Sequence, residues 1–558
     1  MPGDTSSSTF RNTQRAPRSC RSCASRKVKC DKLIPCSTCV RRGDAESCAR
    51  EMVMVRGMIT SAKDPSSMPS YQELLEENSR LRNALGAANS TALDRPEPPL
   101  PTRRRKPQHL LESPDVLEKM LLEPPSQPPQ SNKKLEWAHI ILPSRESSEA
   151  LVAFDKKWNS WVHYALEYPT FEHEHTSFME SIENGASLSD LDPAWLSVYF
   201  SVLSAALLMA DEDYALELNL PGKRDPQRLL RNWYEAALLC LNRADFMRKN
   251  NVRTVQTIAI LGMCVYNFGD SELNNHLWSC AIRIAQALGL DGSRSDSACM
   301  PLSKEAQRRL WWTLVICEWL CVPYHVPQVD EADFHVPLPS IDPMGDHIQP
   351  VQYHIMMART STVYHRFRES LRRGGRSVAE TVHLADQELA EVINSLPEHL
   401  QPDGGKIPDM DQLEMEHPWI KWQRFDVSLV LLHHRLRIHR ALHKDWLDSP
   451  GQHDGARAVC IRSARDIIWI AHNWDQPAAM RRQWALSLHV FVAATFLLRE
   501  SKAASLPDEV NFDEEFRMAI SYLDETKSRN MVADKASKIL RRALAGDGRW
   551  ESGIDVEF

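Results

Sequence analysis

Along residues 135–545 apolar residues, many of them Leu, Ala and Trp, recur at helical intervals, and the alternating Val/Ile/Thr runs that make strands are few. The pattern predicts a large all-α body of about 410 residues, long enough for one sizeable core or two packed sub-bundles. One stretch, AWLSVYFSVLSAALLMA (Ala194–Ala210), is uncharged throughout. It is shorter than the roughly 20 residues that a bilayer needs. It also contains serines and is flanked by Asp192 and Asp211, so it predicts a buried core helix and no membrane partner.

The first quarter of the chain is patterned differently. Residues 1–19 are polar and predict a disordered N-terminus. Residues 87–134 are rich in Pro, Ser and Asn, as in EPPLPTRRRKP and EPPSQPPQSNKK, and predict a disordered tether. Within it the basic run Arg103–Lys106 suits a nuclear-localisation signal, a phosphate contact or an ordinary linker patch. Before it, Tyr71, Leu74, Asn78, Leu81 and Leu85 alternate by three and four. Such a seam over residues 70–86 predicts a short parallel coiled coil, with Asn78 at an a position selecting a dimer. The same spacing also fits a single amphipathic helix packed on the body. Residues 49–69 read as a linker.

The remaining segment is dense in cysteine. Six of the thirteen cysteines fall within residues 20–48, as Cys20-x2-Cys23-x6-Cys30 followed by Cys36-x2-Cys39-x8-Cys48, two similar halves in tandem. A disulfide scaffold is the first rival. Residues 1–19 carry Arg11, Arg15 and Arg18 and lack an apolar core, so a reducing compartment is expected. Paired Cys-x2-Cys spacings there point to zinc. Six thiolates can serve one tetrahedral ion with two left over, or two ions if two sulfurs are shared; the count favours the shared cluster.

Charge is divided along the chain. Residues 1–50 hold eleven Lys and Arg against four Asp and Glu, a net +7; the whole chain is −7, so −14 falls on the rest. A compact basic module on an acidic protein points to a polyanion partner. Arg26, Lys27 and Lys29 lie between the second and third cysteines, where a short helix anchored by Cys23 and Cys30 would aim them at a major groove.

These residues closely resemble the fungal zinc binuclear-cluster DNA-binding domain. The resemblance implies two zinc ions per chain, with Cys20 and Cys36 bridging, Cys23 and Cys30 completing one site and Cys39 and Cys48 the other. It implies Lys27 as the principal base contact at a CGG-type triplet in double-stranded DNA, with Arg26 and Lys29 in support. Arg41 and Arg42 would grip phosphates, and Pro35 would stiffen the loop between halves. Three segments of the body, Thr254–Asp291, QRRLWWTLVICEWL (Gln307–Leu320) and VDEADFHVPLP (Val329–Pro339), resemble the fungal-specific transcription-factor domain. Glu318 and Tyr324–Pro327 depart from its pattern. Together these imply a nuclear homodimeric regulator of RNA polymerase II transcription, an activator of a metabolic or specialised-metabolite gene set. The competing class is a zinc-stabilised protein-interaction or metabolite-sensing regulator whose activity resides in the body.

In the body, Trp311 and Trp312 read as core, and Arg308 and Arg309 as partners of Asp330, Glu331 or Asp333. A Trp-lined interior could also enclose a small-molecule effector. Glu172–His175 and His433, His434, His439 and His443 lack the HExxH arrangement, and no Walker A loop, GxGxxG or GxSxG is present, so an enzyme is not expected. The seven later cysteines read as core filling, with Cys317 and Cys321 as a weaker redox pair. Asp508–Glu525 reads as an amphipathic surface helix, and residues 546–558, where Trp550, Ile554, Val556 and Phe558 interleave with acids, as a tail for the transcription machinery.

Overall fold

The computed structural model describes residues 19–50 apart from Leu33 and Glu46, residues 53–55, 58–60 and 116–122, and residues 135–545 except 222–224, 294–299, 321–325, 403–406, 408, 450, 477 and 503–510. The coiled-coil seam from Tyr71 to Leu85, the basic run Arg103–Lys106, Cys299, Cys321 and the acidic tail lie outside the described residues. The chain divides into two compact units, residues 1–106 and 107–558.

The first unit contains two five-residue helices, α1 (Arg21–Ser25) and α2 (Ser37–Arg41). The span expected to be a plain linker holds an antiparallel pair, β1 (Val53–Val55) and β2 (Met58–Thr60), with Met54 opposite Ile59.

The second unit is helical. Its centre is the helix Pro193–Met209, the element predicted from the uncharged run, and every residue from Ala194 to Met209 is buried. Asp192 caps it, accepting from the Ala194 N–H at 2.9 Å, and Pro193 at its first position needs no N–H partner. Helices Arg145–Trp158, Pro226–Arg243 and Val252–Leu261 pack around it. Its far end is closed by Arg482, whose Nη1 donates to the carbonyls of Leu208 at 3.1 Å and Ala210 at 2.6 Å. A guanidinium so placed satisfies carbonyls that a helix end leaves without partners.

A second layer is built from Trp419–Arg440, Asp454–Asn473, Trp484–Ser501, Asp513–Thr526 and Met531–Leu544. The long helix Val351–Arg373 touches Lys304–Leu320 on one side and Trp419–Arg440 on the other, so the two sub-bundles share one continuous core. Asp513–Thr526 buries Phe516, Ala519, Tyr522 and Leu523, as an amphipathic helix should.

Two expectations are corrected. The span 87–134, expected to be an unstructured tether, contains the helix Val116–Leu122, which packs on Trp484–Ser501 and Met531–Leu544. Leu117, Glu118 and Leu121 are buried, and Glu118 meets Arg440 and Arg437. Two leucines and an acid one turn apart make one sticky face, which the Pro-rich surroundings mask in a composition count. Second, Arg308 and Arg309 do not bridge to Asp330, Glu331 or Asp333. Both pair with Glu305, at 2.7 and 3.1 Å, one turn back on their own helix. Asp330 pairs with Arg373 and Glu331 with Arg366. Trp311 and Trp312 fill the core as expected, each edge-on to Phe334, and the Trp312 indole N–H donates to Pro337 O at 2.9 Å.

Candidate zinc centre and nucleic-acid interface

The tandem cysteine repeat folds into a structural repeat. Cys20 and Cys36 are the N-caps of α1 and α2, both extended in backbone, and each sulfur accepts from the N–H of the cysteine three residues on: Cys23 to Cys20 at 3.3 Å, Cys39 to Cys36 at 3.4 Å. Both helices end the same way. Arg26 and Arg42 are their C-caps, and Lys27 (φ +53°) and Gly43 (φ +77°) then turn left-handed. The N–H of Val28 reaches Cys23 O and that of Asp44 reaches Cys39 O, the doubled bond of a Schellman ending. Gly is the ordinary residue there; Lys27 adopts the conformation despite its Cβ.

Cys20, Cys23, Cys36, Cys39 and Cys48 are buried together, and Cys30 is half-buried beside them. The sulfur separations are 3.8 Å for Cys20–Cys36, 3.8 Å for Cys20–Cys39 and 3.6 Å for Cys23–Cys36. A disulfide requires about 2.05 Å. Four sulfurs about 2.3 Å from a tetrahedral zinc lie about 3.8 Å from one another, so the spacing is that of a thiolate–zinc cage. The Sγ atoms of Cys20, Cys23, Cys36 and Cys39 are all mutually within 4.8 Å, and that of Cys30 lies within the same distance of Cys36. Cys48 accepts from the Cys36 N–H at 3.2 Å.

The electrostatics point the same way. Burial pushes the Cys23 thiol up to about 12 and raises Cys39 and Cys48 as well. At Cys36 burial also works upward, but the Cys39 N–H and the thiols donating to its sulfur outweigh it and bring it down to about 6. Buried sulfurs thus compete for negative charge, a conflict that bound divalent cations remove.

Around the cage, Asp31 accepts from the Ser37 N–H at 2.8 Å, Thr38 Oγ1 donates to Lys29 O at 3.1 Å, and the Arg21 N–H donates to Ala49 O at 2.8 Å, closing the module's ends together. Pro35 follows a cis peptide bond in the loop between halves. Arg26, Lys27, Lys29, Arg41 and Arg42 are all exposed. Arg26, Lys27 and Lys29 do not ride on the helix as expected: α1 stops at Ser25, because the sixth residue after Cys20 is already the C-cap. They cluster instead at its C-terminus, where cations complement the helix dipole. Sequence reasoning missed Asp44, which holds Arg26 at 2.7 Å across the two halves.

Among the described residues, the groups of His, Cys, Asp or Glu close enough to share a metal all lie in this module. The body's histidines are engaged otherwise. His175 meets Ser148 at 2.7 Å, Glu174 pairs with Arg253, His439 with Asp386 and His443 with Glu500, while His433 and His434 are buried. A cavity bounded by Met263, Trp278, Cys317 and Trp484 has about 80 Å³, well short of the several hundred Å³ that a metabolite-sized ligand fills. No described helix is long and apolar enough to cross a membrane.

Residues 18–51 match the family model of the fungal Zn(2)-Cys(6) binuclear cluster domain. Residues 222–324 match that of Cep3, a component of the centromere DNA-binding protein complex CBF3. The chain is 22% identical over 522 residues to the agnestins biosynthesis cluster transcription factor AgnL11 of Paecilomyces divaricatus, spanning 82% of this chain and 73% of that one. It is 23% identical over 351 residues to the aurofusarin cluster transcription factor aurR2 of Gibberella zeae, covering 60% and 48% of the two. The K. lactis CBF3 core shares the fold, with a TM-score of 0.53 at 14% identity over 78% of this chain and 89% of that one. A zinc-spaced sulfur cage beneath a cluster of exposed cations, with the matching family model, identifies residues 18–51 as a fungal Zn(2)-Cys(6) binuclear cluster domain, in a chain similar to fungal transcription factors.

Proposed function

We propose that the module is a sequence-specific reader of CGG-type triplets in double-stranded DNA, held by two zinc ions with Cys20 and Cys36 bridging. Cys23 and Cys30 complete one ion's shell, Cys39 and Cys48 the other's. Lys27 contacts the bases, flanked by Arg26 and Lys29, while Arg41 and Arg42 grip phosphates. The observation that carries this reading is the position of Lys27, an exposed cation at the rigid end of α1 in a left-handed conformation that its counterpart reserves for glycine. An exposed cation held in so restricted a backbone conformation is placed to meet a target outside the protein.

The wider setting follows from that reading. The chain acts in the nucleus as a homodimer through Tyr71, Leu74, Asn78, Leu81 and Leu85, activating RNA polymerase II transcription of one metabolic or specialised-metabolite gene set, as the names of its relatives suggest. Selection of bound sequences from random DNA with the full-length protein tests it. Enrichment of paired CGG triplets, abolished by Lys27→Ala with both zinc ions retained, is the expected result. Without enrichment, the module is a protein-interaction surface instead.

A further inference from the structure

The two halves of the zinc module differ just past their helix ends. Sixteen residues separate equivalent positions, so Arg26 corresponds to Arg42, Lys27 to Gly43 and Val28 to Asp44. Arg26 therefore finds a carboxylate across the pseudo-repeat, Nη1 to Asp44 Oδ2 at 2.7 Å, whereas the first half carries Val28 at the position equivalent to Asp44, and Arg42 makes no ion pair among the described residues. The pair is exposed, with about half of the Arg26 side chain in solvent, and such pairs add little to stability. Its consequence is geometric. With Nη1 taken, the Nε–Nη2 edge of Arg26 has no partner among the described residues, and such an edge suits bidentate donation to guanine O6 and N7.

We propose that Asp44 is a positioning residue for base reading: it fixes the Arg26 guanidinium beside Lys27 and presents its Nε–Nη2 edge to a guanine. Asp44 thus assigns the two halves different tasks, reading to the first and phosphate gripping to the second. The inference rests on the DNA-reading function proposed above.

Full-length wild type, Asp44→Asn, Asp44→Ala and Asp44→Glu are titrated by fluorescence anisotropy against a labelled duplex with paired CGG triplets. The same duplex with the triplets scrambled is the control, over a range of salt, and zinc is counted by native mass spectrometry. Asp44→Asn and Asp44→Ala should lower the ratio of specific to scrambled affinity about tenfold, the size of one bidentate contact, while Asp44→Glu recovers part of it. The released Arg26 charge should also steepen the salt dependence on scrambled DNA. If the ratio is unchanged and both duplexes bind more tightly, Asp44 merely subtracts charge and the inference falls. It falls equally if the variants lose zinc, which marks a structural role. A wild type that does not distinguish the duplexes overturns the DNA-reading function, and this inference with it.

Discussion

The sulfur of Cys20 lies 3.8 Å from that of Cys36, and each of these two residues also caps its own helix. The same pair therefore joins the metal cage to both helix starts. Removing either should cost more metal than removing a peripheral cysteine. Cys36→Ala is expected to lose both zinc ions, and Cys30→Ala, whose thiol is half-buried at the edge, only one. Native mass spectrometry of the full chain counts them directly. A Cys36→Ala chain that keeps one ion would refute the shared-sulfur arrangement.

Substitution of Lys27 should separate function from stability. Left-handed backbone costs a residue with a Cβ about 1 kcal/mol relative to glycine, and Gly43 occupies the equivalent place without that cost. Lys27→Gly should therefore release zinc to a competing chelator no faster than wild type, yet bind its DNA site at least tenfold more weakly. Faster zinc release would mean that Lys27 holds the fold and not the target.

Much of this is legible in the sequence, and the parts that are not share a cause. Cysteine spacing is a local signal, so the cage follows from Cys20 to Cys48 directly, and the uncharged run Ala194–Ala210 declares its burial. Pairings between distant residues leave no such trace. Arg26–Asp44 spans 18 positions and Arg482–Ala210 spans 272, and neither spacing marks a motif. Arg308 and Arg309 point in sequence to the acids of residues 330–333, because Glu305, one turn away, is an ordinary neighbour in a charged helix start. The Val116–Leu122 helix is hidden by prolines on both sides, which set the composition of the window but not the fate of its few apolar residues.

That helix carries a sharp energetic prediction. Glu118 is fully buried, hydrogen-bonded to Arg440 and 3.9 Å from Arg437. Deleting the acid takes a carboxylate away from two guanidinium groups that are themselves nearly inaccessible. Glu118→Ala should lower the body's unfolding free energy by about 3–5 kcal/mol, and Leu117→Ala by about 2–5 kcal/mol. Urea denaturation of the full chain reads both. A Glu118→Ala loss below about 1 kcal/mol, the range of a surface pair, would show that the segment does not hold its place on the bundle.

The body's buried histidines set its response to acid. Burial lowers His354 and His434 to about 3 and His175 and His399 to about 4, and it holds His433 and His489 well below the usual value. Each is neutral when folded, while in the unfolded chain it takes up a proton near pH 6.5. Between about pH 6.5 and pH 4 the unfolded state therefore binds more protons, and stability falls as pH falls, by at most about 1.4 kcal/mol per pH unit for each histidine. Asp426, which burial pushes up to about 6, opposes this trend below that pH, as does Glu318, raised by the same cause. With His365, also lowered by burial, and Asp466, also raised by it, seven histidines outweigh three carboxyls, so the urea midpoint should drop steadily from pH 7 to pH 5. His399→Gln, which removes one of these titrating groups, should make that decline shallower; a midpoint that holds or rises on acidification would mean these imidazoles are protonated inside the fold.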